Sequence, residues 1–163
     1  MNRSVKKKTG KSGLTARDIM ATRLRTVRPD DRVYQAVKVL LKYKISGAPV
    51  IDEQRKLIGV ISEKDCIKAL MRAVHDRMPP SAVADVMSRE LITIREGTHL
   101  MDIAHIFITR SIRRLPVVSD TGELIGQVSR RDLLAAANRI FEDAPSRESA
   151  VLYLSALGKR APV

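Results

Sequence analysis

The chain contains one unit twice, at a constant spacing of 67 residues. When the sequence is shifted by 67 positions, 15 of the 55 residues from Asp18 to Arg72 are identical to their counterparts, without a gap. The longest run of identities places Leu57, Ile58 and Gly59 on Leu124, Ile125 and Gly126. Copies of one unit are expected to fold in the same way, so the repeat constrains the fold before any finer pattern does. The sequence therefore predicts two halves with the same architecture.

Each repeat shows the same order of hydrophobic patterns. A short apolar stretch (24–27 and 91–94) precedes a segment with helical spacing, which Asp30 or Asp31, and Thr98, are predicted to cap. Two short apolar runs follow, 48–51 with 57–61 and 115–118 with 124–128, and a second helix closes each unit. The pattern predicts the order β-α-β-β-α in each half, an α/β (α+β) fold.

The repeats account for most of the chain. A unit of about 60 residues buries too little surface to be stable alone, so we expect the two to pack their sheets into one core. We place the first repeat at 14–78 and the second at 79–141. A basic flexible tail is predicted for 1–13 and a C-terminal helix and tail for 142–163, where residues 146–157 offer a packing or dimer face.

The net charge of +12 is unevenly distributed. Residues 1–13 carry +5 and the bases at 159 and 160 add +2, so more than half of the excess lies in the tails. A basic balance suggests nucleic acid, an acidic membrane surface or a phosphorylated ligand as partner. One cysteine, Cys66, leaves no disulfide framework, and no apolar run approaches the ~18 residues of a membrane span. We expect a cytoplasmic protein that does not engage a membrane.

A Gly-x-x-Ser-x-x-Asp motif occurs at the same place in both repeats, at 59–65 and 126–132. One interpretation is structural: the serine caps the second helix and the aspartate three residues later completes a capping box. The other is functional: the glycine admits a ligand, the helix N-terminus attracts phosphate and the carboxylate accepts hydrogen bonds from ribose hydroxyls. The two interpretations are compatible, and both stay open at this point.

Arginines gather near the second motif, in a half that has no lysine between residues 81 and 158. The guanidinium group offers a planar fork of donors that suits phosphate. We therefore predict phosphate contacts for Arg113, Arg114 and Arg131, and a solvated surface position for Arg110. The first repeat has Ser46, Gly47 and Lys64 at the three equivalent positions. The two halves are not expected to bind ligands alike.

The paired units, each with its x-Pro strand and Gly-x-x-Ser-x-x-Asp motif, resemble tandem CBS-domain proteins, an arrangement called a Bateman module. The resemblance spans residues 14–140. It implies pseudo-twofold packing of the repeats and clefts that bind AMP, ADP, ATP or S-adenosylmethionine as regulatory ligands, with no cofactor required. It implies ligand contacts for the motif residues Ser62, Lys64, Asp65, Ser129, Arg131 and Asp132, and for the strand residues Ala48, Pro49, Leu115 and Pro116. Weaker candidates close the cleft: Thr22, Leu24 and Leu91.

The sequence offers little for catalysis. His99 and His105 are six residues apart, which places them on different faces of a helix, and Cys66 is more typical of a small packed side chain than of a nucleophile. Nucleophile-elbow, Walker and dinucleotide-binding motifs do not occur in the sequence. We expect a regulatory protein and not an enzyme.

Two functional hypotheses remain. The first is a stand-alone adenosyl-ligand sensor that forms a homodimer and regulates a separately encoded enzyme or transporter. The second is nucleic-acid binding through the basic tail, with the repeats as a dimerisation scaffold. The tail contains no aromatic residue for base stacking, so nucleic acid is the less favoured partner.

Overall fold

The computed structural model describes residues 13–143, which form six helices and four strands. The first half contains α1 (Ala16–Ile19), α2 (Val33–Tyr43), β1 (Gly47–Ile51), β2 (Leu57–Ser62) and α3 (Glu63–Asp76). The second half contains α4 (Val83–Val86), α5 (Leu100–Thr109), β3 (Arg114–Val118), β4 (Leu124–Ser129) and α6 (Arg130–Asp143). The predicted mixture of helices and strands, repeated once, is confirmed.

Each half is built on one antiparallel hairpin, and the two hairpins have the same register. Gly47 pairs with Ser62 and Val50 with Gly59, while Arg114 pairs with Ser129 and Val117 with Gly126. Both ladders shift register at the equivalent position near the end of the first strand. The hairpins therefore place both Gly-x-x-Ser-x-x-Asp motifs identically, with the serine as the last strand residue.

The predicted first strand of each repeat is reduced to a single bridge. Val27 forms a parallel bridge with Val50, and Ile94 forms one with Val117. Only Val27 in its stretch is buried, at 3% exposure, whereas Arg25 lies at the surface 4.1 Å from the ring centre of Tyr43. Each stretch thus pairs through one residue and is not a strand, so the order in each half is α-α-β-β-α.

The caps predicted for α2 and α5 are also wrong. The structure places Arg32 at the N-cap of α2 and His99 at that of α5, and neither side chain bonds to the helix. Asp31 instead accepts a hydrogen bond from the backbone N–H of Arg28 at 2.8 Å, and Thr98 accepts one from Arg95 at 3.1 Å. These short polar side chains close the turn before the helix, a competing role that suits them equally.

The leading segments of the two halves are exchanged. The core cluster around the first hairpin includes Val83 and Met87 from the second half, and the cluster around the second hairpin includes Ala16. Backbone hydrogen bonds fix the exchange, since the N–H of Ala21 donates to Gln127 at 2.9 Å and that of Val60 donates to Ser88 at 3.0 Å. The single core expected from the sequence is therefore two clusters, each completed by a helical turn from the other half.

The contacts between the halves follow a pseudo-twofold axis, as the resemblance implied. The bridge between Thr15 and His99 becomes the bridge between Ala82 and Arg32 when 67 is added to one position and subtracted from the other. The bridge between Lys56 and Glu123 is its own counterpart, so the axis passes through it. The two hairpins thus meet tip to tip at one end of the axis.

Two predicted segments lie outside the described residues: most of the basic tail and the helix at 146–157. Within residues 13–143, no helix combines the length and the apolar character that crossing a membrane requires.

Candidate ligand cleft

Both Gly-x-x-Ser-x-x-Asp motifs form a capping box. In the first, Oδ2 of Asp65 accepts hydrogen bonds from the backbone N–H and the hydroxyl of Ser62, at 2.9 and 2.6 Å, and the Ser62 hydroxyl accepts from the N–H of Asp65 at 3.3 Å. The distances between Ser129 and Asp132 are 2.8, 2.6 and 3.2 Å. The structural interpretation of the motif is confirmed, and it holds each carboxylate rigidly at the start of a helix.

The glycine of each motif is required by the exchanged segments. A Cβ atom at Gly59 would lie 2.4 Å from Sδ of Met87, and one at Gly126 would lie 2.4 Å from Sδ of Met20. Carbon and sulfur atoms do not approach so closely, so a side chain at either position would displace the methionine. These glycines therefore have a packing role, and the predicted role of admitting a ligand stays a prediction.

A cavity of about 680 Å³ lies between the halves, at the end of the hairpins opposite the bridge between Lys56 and Glu123. From the first half it is lined by Ser46, Gly47, Ala48, Val60, Ser62, Glu63, Lys64, Ile67 and Lys68. From the second half it is lined by Ser111, Ile112, Arg113, Arg114, Pro116 and Gln127. Its volume falls in the range of small-molecule sites, and it combines an apolar wall with charged side chains.

The cavity gathers six of the residues predicted from the sequence: Ala48, Ser62, Lys64, Arg113, Arg114 and Pro116. The other predicted residues do not line it: Thr22, Leu24, Pro49, Asp65, Leu91, Leu115, Ser129, Arg131 and Asp132. Leu115 has no exposed surface and lies in the second core cluster. Asp65 adjoins the lining, since it is hydrogen-bonded to Ser62 and follows Lys64 in the sequence.

Several lining residues were not predicted, although the sequence contains signals for some of them. Val60 precedes Ser62 by two positions, so it shares a face of β2 with the serine. Lys68 follows Lys64 by four residues on α3, the spacing of side chains on one helix face. The contributions of Ser111 and Ile112 had no such signal, because they depend on how the second half meets the first.

The cavity is asymmetric about the pseudo-twofold axis. It reaches the start of α3 but not the equivalent start of α6. Ser46 and Gly47 leave room on the first side, where the second half carries the long side chains of Arg113 and Arg114. Arg113 and Arg114 thus share a cavity with the motif of the first half, whereas the sequence associated them with the second motif and with Arg131.

The charged groups at the cavity are largely cationic, and in the described part of the chain the cations have no partner. Lys64, Lys68, Arg113 and Arg114 line it together with one carboxylate, Glu63. Within residues 13–143, none of the hydrogen bonds or ion pairs involves the charged ends of these four side chains. By contrast, Arg130 donates to the carbonyls of Phe107 and Arg110, at 3.4 and 3.3 Å, where α5 ends. The four cations are available for an anionic ligand.

Cys66 follows the first motif but is a packed side chain, as predicted. It is 3% exposed and belongs to the first core cluster. Burial, followed by the negative charge of Asp65, raises the pKa of the Cys66 thiol. Among the described residues, no group of three potential metal-ligating side chains occurs.

We expect the Cys66 thiol to react with iodoacetamide far more slowly in the native protein than in urea-unfolded protein, because burial blocks the reagent and the raised pKa suppresses the thiolate. Because the pKa of the thiol is higher in the folded state, the thiol of the unfolded chain ionises first as the pH rises. The free energy of unfolding should therefore fall as the pH rises above the ordinary thiol pKa. Mass spectrometry after timed labelling measures the rate. Equal rates in the two states would contradict the packed assignment.

The fold and the paired motifs define a family, and the comparison with known proteins agrees. The model of the CBS domain matches residues 16–72 and 83–139, so the chain belongs to the CBS domain family, with two domains in tandem. The offset between the matches is the 67-residue spacing found in the sequence.

Two curated relatives illustrate the range of proteins that contain such pairs. The chloroplastic CBS domain-containing protein CBSX2 of Arabidopsis thaliana is 30% identical in an alignment of 167 positions, which covers 85% of this chain and 69% of that protein. Inosine-5'-monophosphate dehydrogenase of Aquifex aeolicus is 38% identical over 110 residues, covering 67% of this chain and 21% of the enzyme. The chain thus spans about a fifth of the dehydrogenase.

Two solved structures are similar over nearly their full length. The crystal structure of CBSX2 in complex with AMP has a TM-score of 0.71 and 33% identity, covering 78% of this chain and 98% of that one. The CBS domain pair of MJ0100, in complex with 5'-methylthioadenosine and S-adenosyl-L-methionine, has a TM-score of 0.64 and 26% identity, covering 76% and 98%.

Proposed function

We propose that this chain is a regulatory CBS pair that binds an adenosyl ligand in the cavity between its halves. The observation that carries the proposal is the cavity itself, in which an apolar wall, the serine of a Gly-x-x-Ser-x-x-Asp motif and four cations without a partner in residues 13–143 converge. The similar structures of CBSX2 and the MJ0100 pair, bound to AMP and to 5'-methylthioadenosine and S-adenosylmethionine, support this class of ligand.

The first motif supplies the ribose contact in this proposal. Both hydrogen bonds that Asp65 accepts from Ser62 go to Oδ2, and no hydrogen bond among the described residues uses Oδ1. A carboxylate oxygen held in place by a capping box is a preorganised acceptor for a ribose hydroxyl. Val60, Ile112 and Pro116 supply apolar surface for the adenine ring.

Signalling follows from the position of the cavity. Because its walls come from both halves, a ligand that contacts both walls binds most tightly to one relative arrangement of the halves. A ligand shifts a conformational equilibrium only by its difference in affinity for the two states. The bound ligand would therefore change the surface that a partner meets, such as a separately encoded enzyme or transporter.

Calorimetry with AMP, ADP, ATP, S-adenosylmethionine and 5'-methylthioadenosine tests the proposal on protein freed of copurified ligand. We expect at least one of them to bind with measurable heat and to raise the melting temperature. Neither heat nor thermal shift with any of the five ligands would overturn the assignment.

Matched substitutions of the two aspartates test the ribose assignment. Asp65→Ala and Asp132→Ala each remove a capping box of the same geometry, so each should cost about 1 kcal/mol of stability. Asp65→Ala should in addition weaken ligand binding roughly tenfold, the worth of a hydrogen bond to a charged group. Unchanged affinity in this variant would remove the ribose role from Asp65. A loss in Asp132→Ala would assign a ribose to the second motif, as the sequence predicted.

The remaining properties of the module stay predictions: that it lacks enzymatic activity, forms a homodimer and resides in the cytoplasm. The alternative of nucleic-acid binding depends on the basic tail, which lies almost wholly outside the described residues. Removal of residues 1–13 should leave adenosyl binding intact, whereas retention of DNA or RNA through the tail would be lost.

A further inference from the structure

We infer that the cavity selects a nucleoside polyphosphate, with two or more phosphates, over a nucleoside monophosphate or S-adenosylmethionine. Side chains of both halves bind the phosphate chain: Lys64 and Lys68 on one wall, and Arg113 and Arg114 on the other. This inference rests on the proposed function and specifies the ligand class of the same site.

The charge of the cavity lining favours a polyphosphate. Four cations face the cavity and one carboxylate, Glu63, offsets them. A nucleoside monophosphate carries a charge of about −1.5 to −2 on its single phosphate at neutral pH, which leaves the lining incompletely neutralised. Each further phosphate adds negative charge, while the sulfonium group of S-adenosylmethionine adds positive charge. Charge complementarity therefore ranks the polyphosphates first.

Within residues 13–143, these four cations have no partner in the protein. Some guanidinium groups in the described part of the chain do have structural partners: Arg17 pairs with Glu96, and Arg95 donates to the carbonyl of Val118 at 3.2 Å. Lys64, Lys68, Arg113 and Arg114 have none there, although they share one concave site. Like charges that share a cleft repel one another, and a polyanion relieves that repulsion in addition to making new contacts.

The four cations lie on two different walls of the cavity, one from each half. Lys64 and Lys68 are one turn apart on α3 in the first half, whereas Arg113 and Arg114 lead into β3 in the second. An extended phosphate chain reaches both pairs, and guanidinium groups bind successive phosphates through several donors each. The longer chain therefore ties the halves together, which gives the ligand the difference in affinity that a regulatory response requires.

The experiment is calorimetry in magnesium-free buffer with ATP, AMP, S-adenosylmethionine and inorganic tripolyphosphate, at two ionic strengths. We expect ATP to bind roughly tenfold or more tightly than AMP, which corresponds to one additional charge-assisted interaction. The difference should shrink as salt rises, because screening weakens exposed charge pairs. The double variant Arg113→Ala/Arg114→Ala should abolish the preference for ATP over AMP.

Arg131→Ala is the matched control. Arg131 is the exposed counterpart of Lys64 in the second half and does not line the cavity. Its removal should leave the ratio of ATP to AMP affinity unchanged, whereas Lys64→Ala should lower it. All these residues are at least partly exposed, and thermal melts confirm that each variant folds.

The outcomes separate this inference from the proposed function. Two results would overturn the polyphosphate inference and leave the adenosyl site in place. One is AMP binding as tightly as ATP or more tightly. The other is loss of the ATP preference in Arg131→Ala but not in the variants of the cavity residues. Binding of tripolyphosphate with no affinity for any of the adenosyl ligands would overturn the proposed function and, with it, the nucleoside part of the inference.

Discussion

The variant Leu115→Ala should lose about 2–5 kcal/mol of unfolding free energy, the usual cost of removing a buried leucine side chain. Leu115 has no exposed surface and packs in the second core cluster with Ile103, Val117 and Val128. It pairs with Val128 across the hairpin, so its truncation leaves a cavity in the core of the second half. Urea unfolding followed by circular dichroism measures the effect.

Leu134→Ala is the control for this prediction, because Leu134 is 70% exposed on α6. Its substitution should change the free energy of unfolding by less than about 0.5 kcal/mol. The resemblance to CBS pairs implied a ligand contact for Leu115, and the two roles have different consequences. If Leu115→Ala is as stable as the wild type but binds nucleotide more weakly, Leu115 contacts the ligand and is not a core residue.

Gly126→Ala should cost about 1–3 kcal/mol, the range for overpacking a well-filled site. The new Cβ would lie 2.4 Å from Sδ of Met20 and 3.3 Å from the backbone oxygen of Ala21. The methionine must leave its place against β4, and with it goes part of the packing that holds α1 on the second half. Thermal unfolding and amide exchange at Ala21 report the change.

Two further variants make this prediction specific. Adding Met20→Ala to Gly126→Ala removes the clash, so the double variant should be more stable than the sum of the single effects predicts. Gly97→Ala introduces a Cβ with no atom within 4 Å and should be nearly neutral. Additive costs in the double variant would show that contact with Met20 is not what requires glycine at position 126.

The sequence predicted those parts of the fold that show as patterns along the chain. The four strands and the two capping boxes follow from residues close together in the chain, such as Ser62 and Asp65, and the repeat follows from identical residues at a constant spacing of 67. The short helices α1 and α4 escaped prediction because four residues cannot display a helical period. Their exchange between the halves depends on contacts between residues distant in sequence, such as Val60 with Ser88 and Ala21 with Gln127, which are 28 and 106 residues apart.

The candidate site shows the same division. Sequence reasoning identified Ser62, Lys64, Arg113 and Arg114, and it predicted unequal halves from the difference between Ser46-Gly47 and Arg113-Arg114. It associated the arginines with the motif of their own repeat, because nothing local indicates that the starts of β1 and β3 line one cavity. The assembly of a site from both halves is a property of the packing, which a pattern within one repeat does not contain.

The exchanged leading segments have a consequence for how the chain reaches its native state. During synthesis the first hairpin emerges well before Val83 and Met87, so its core stays open until the second half has begun to appear. The Ala16 turn must likewise wait for β4, more than a hundred residues later. A cut at the join near residue 78 would therefore leave two incomplete pieces. A lone repeat would find its missing turn in a second copy of itself, which makes the tandem chain a covalently linked version of a segment-swapped dimer.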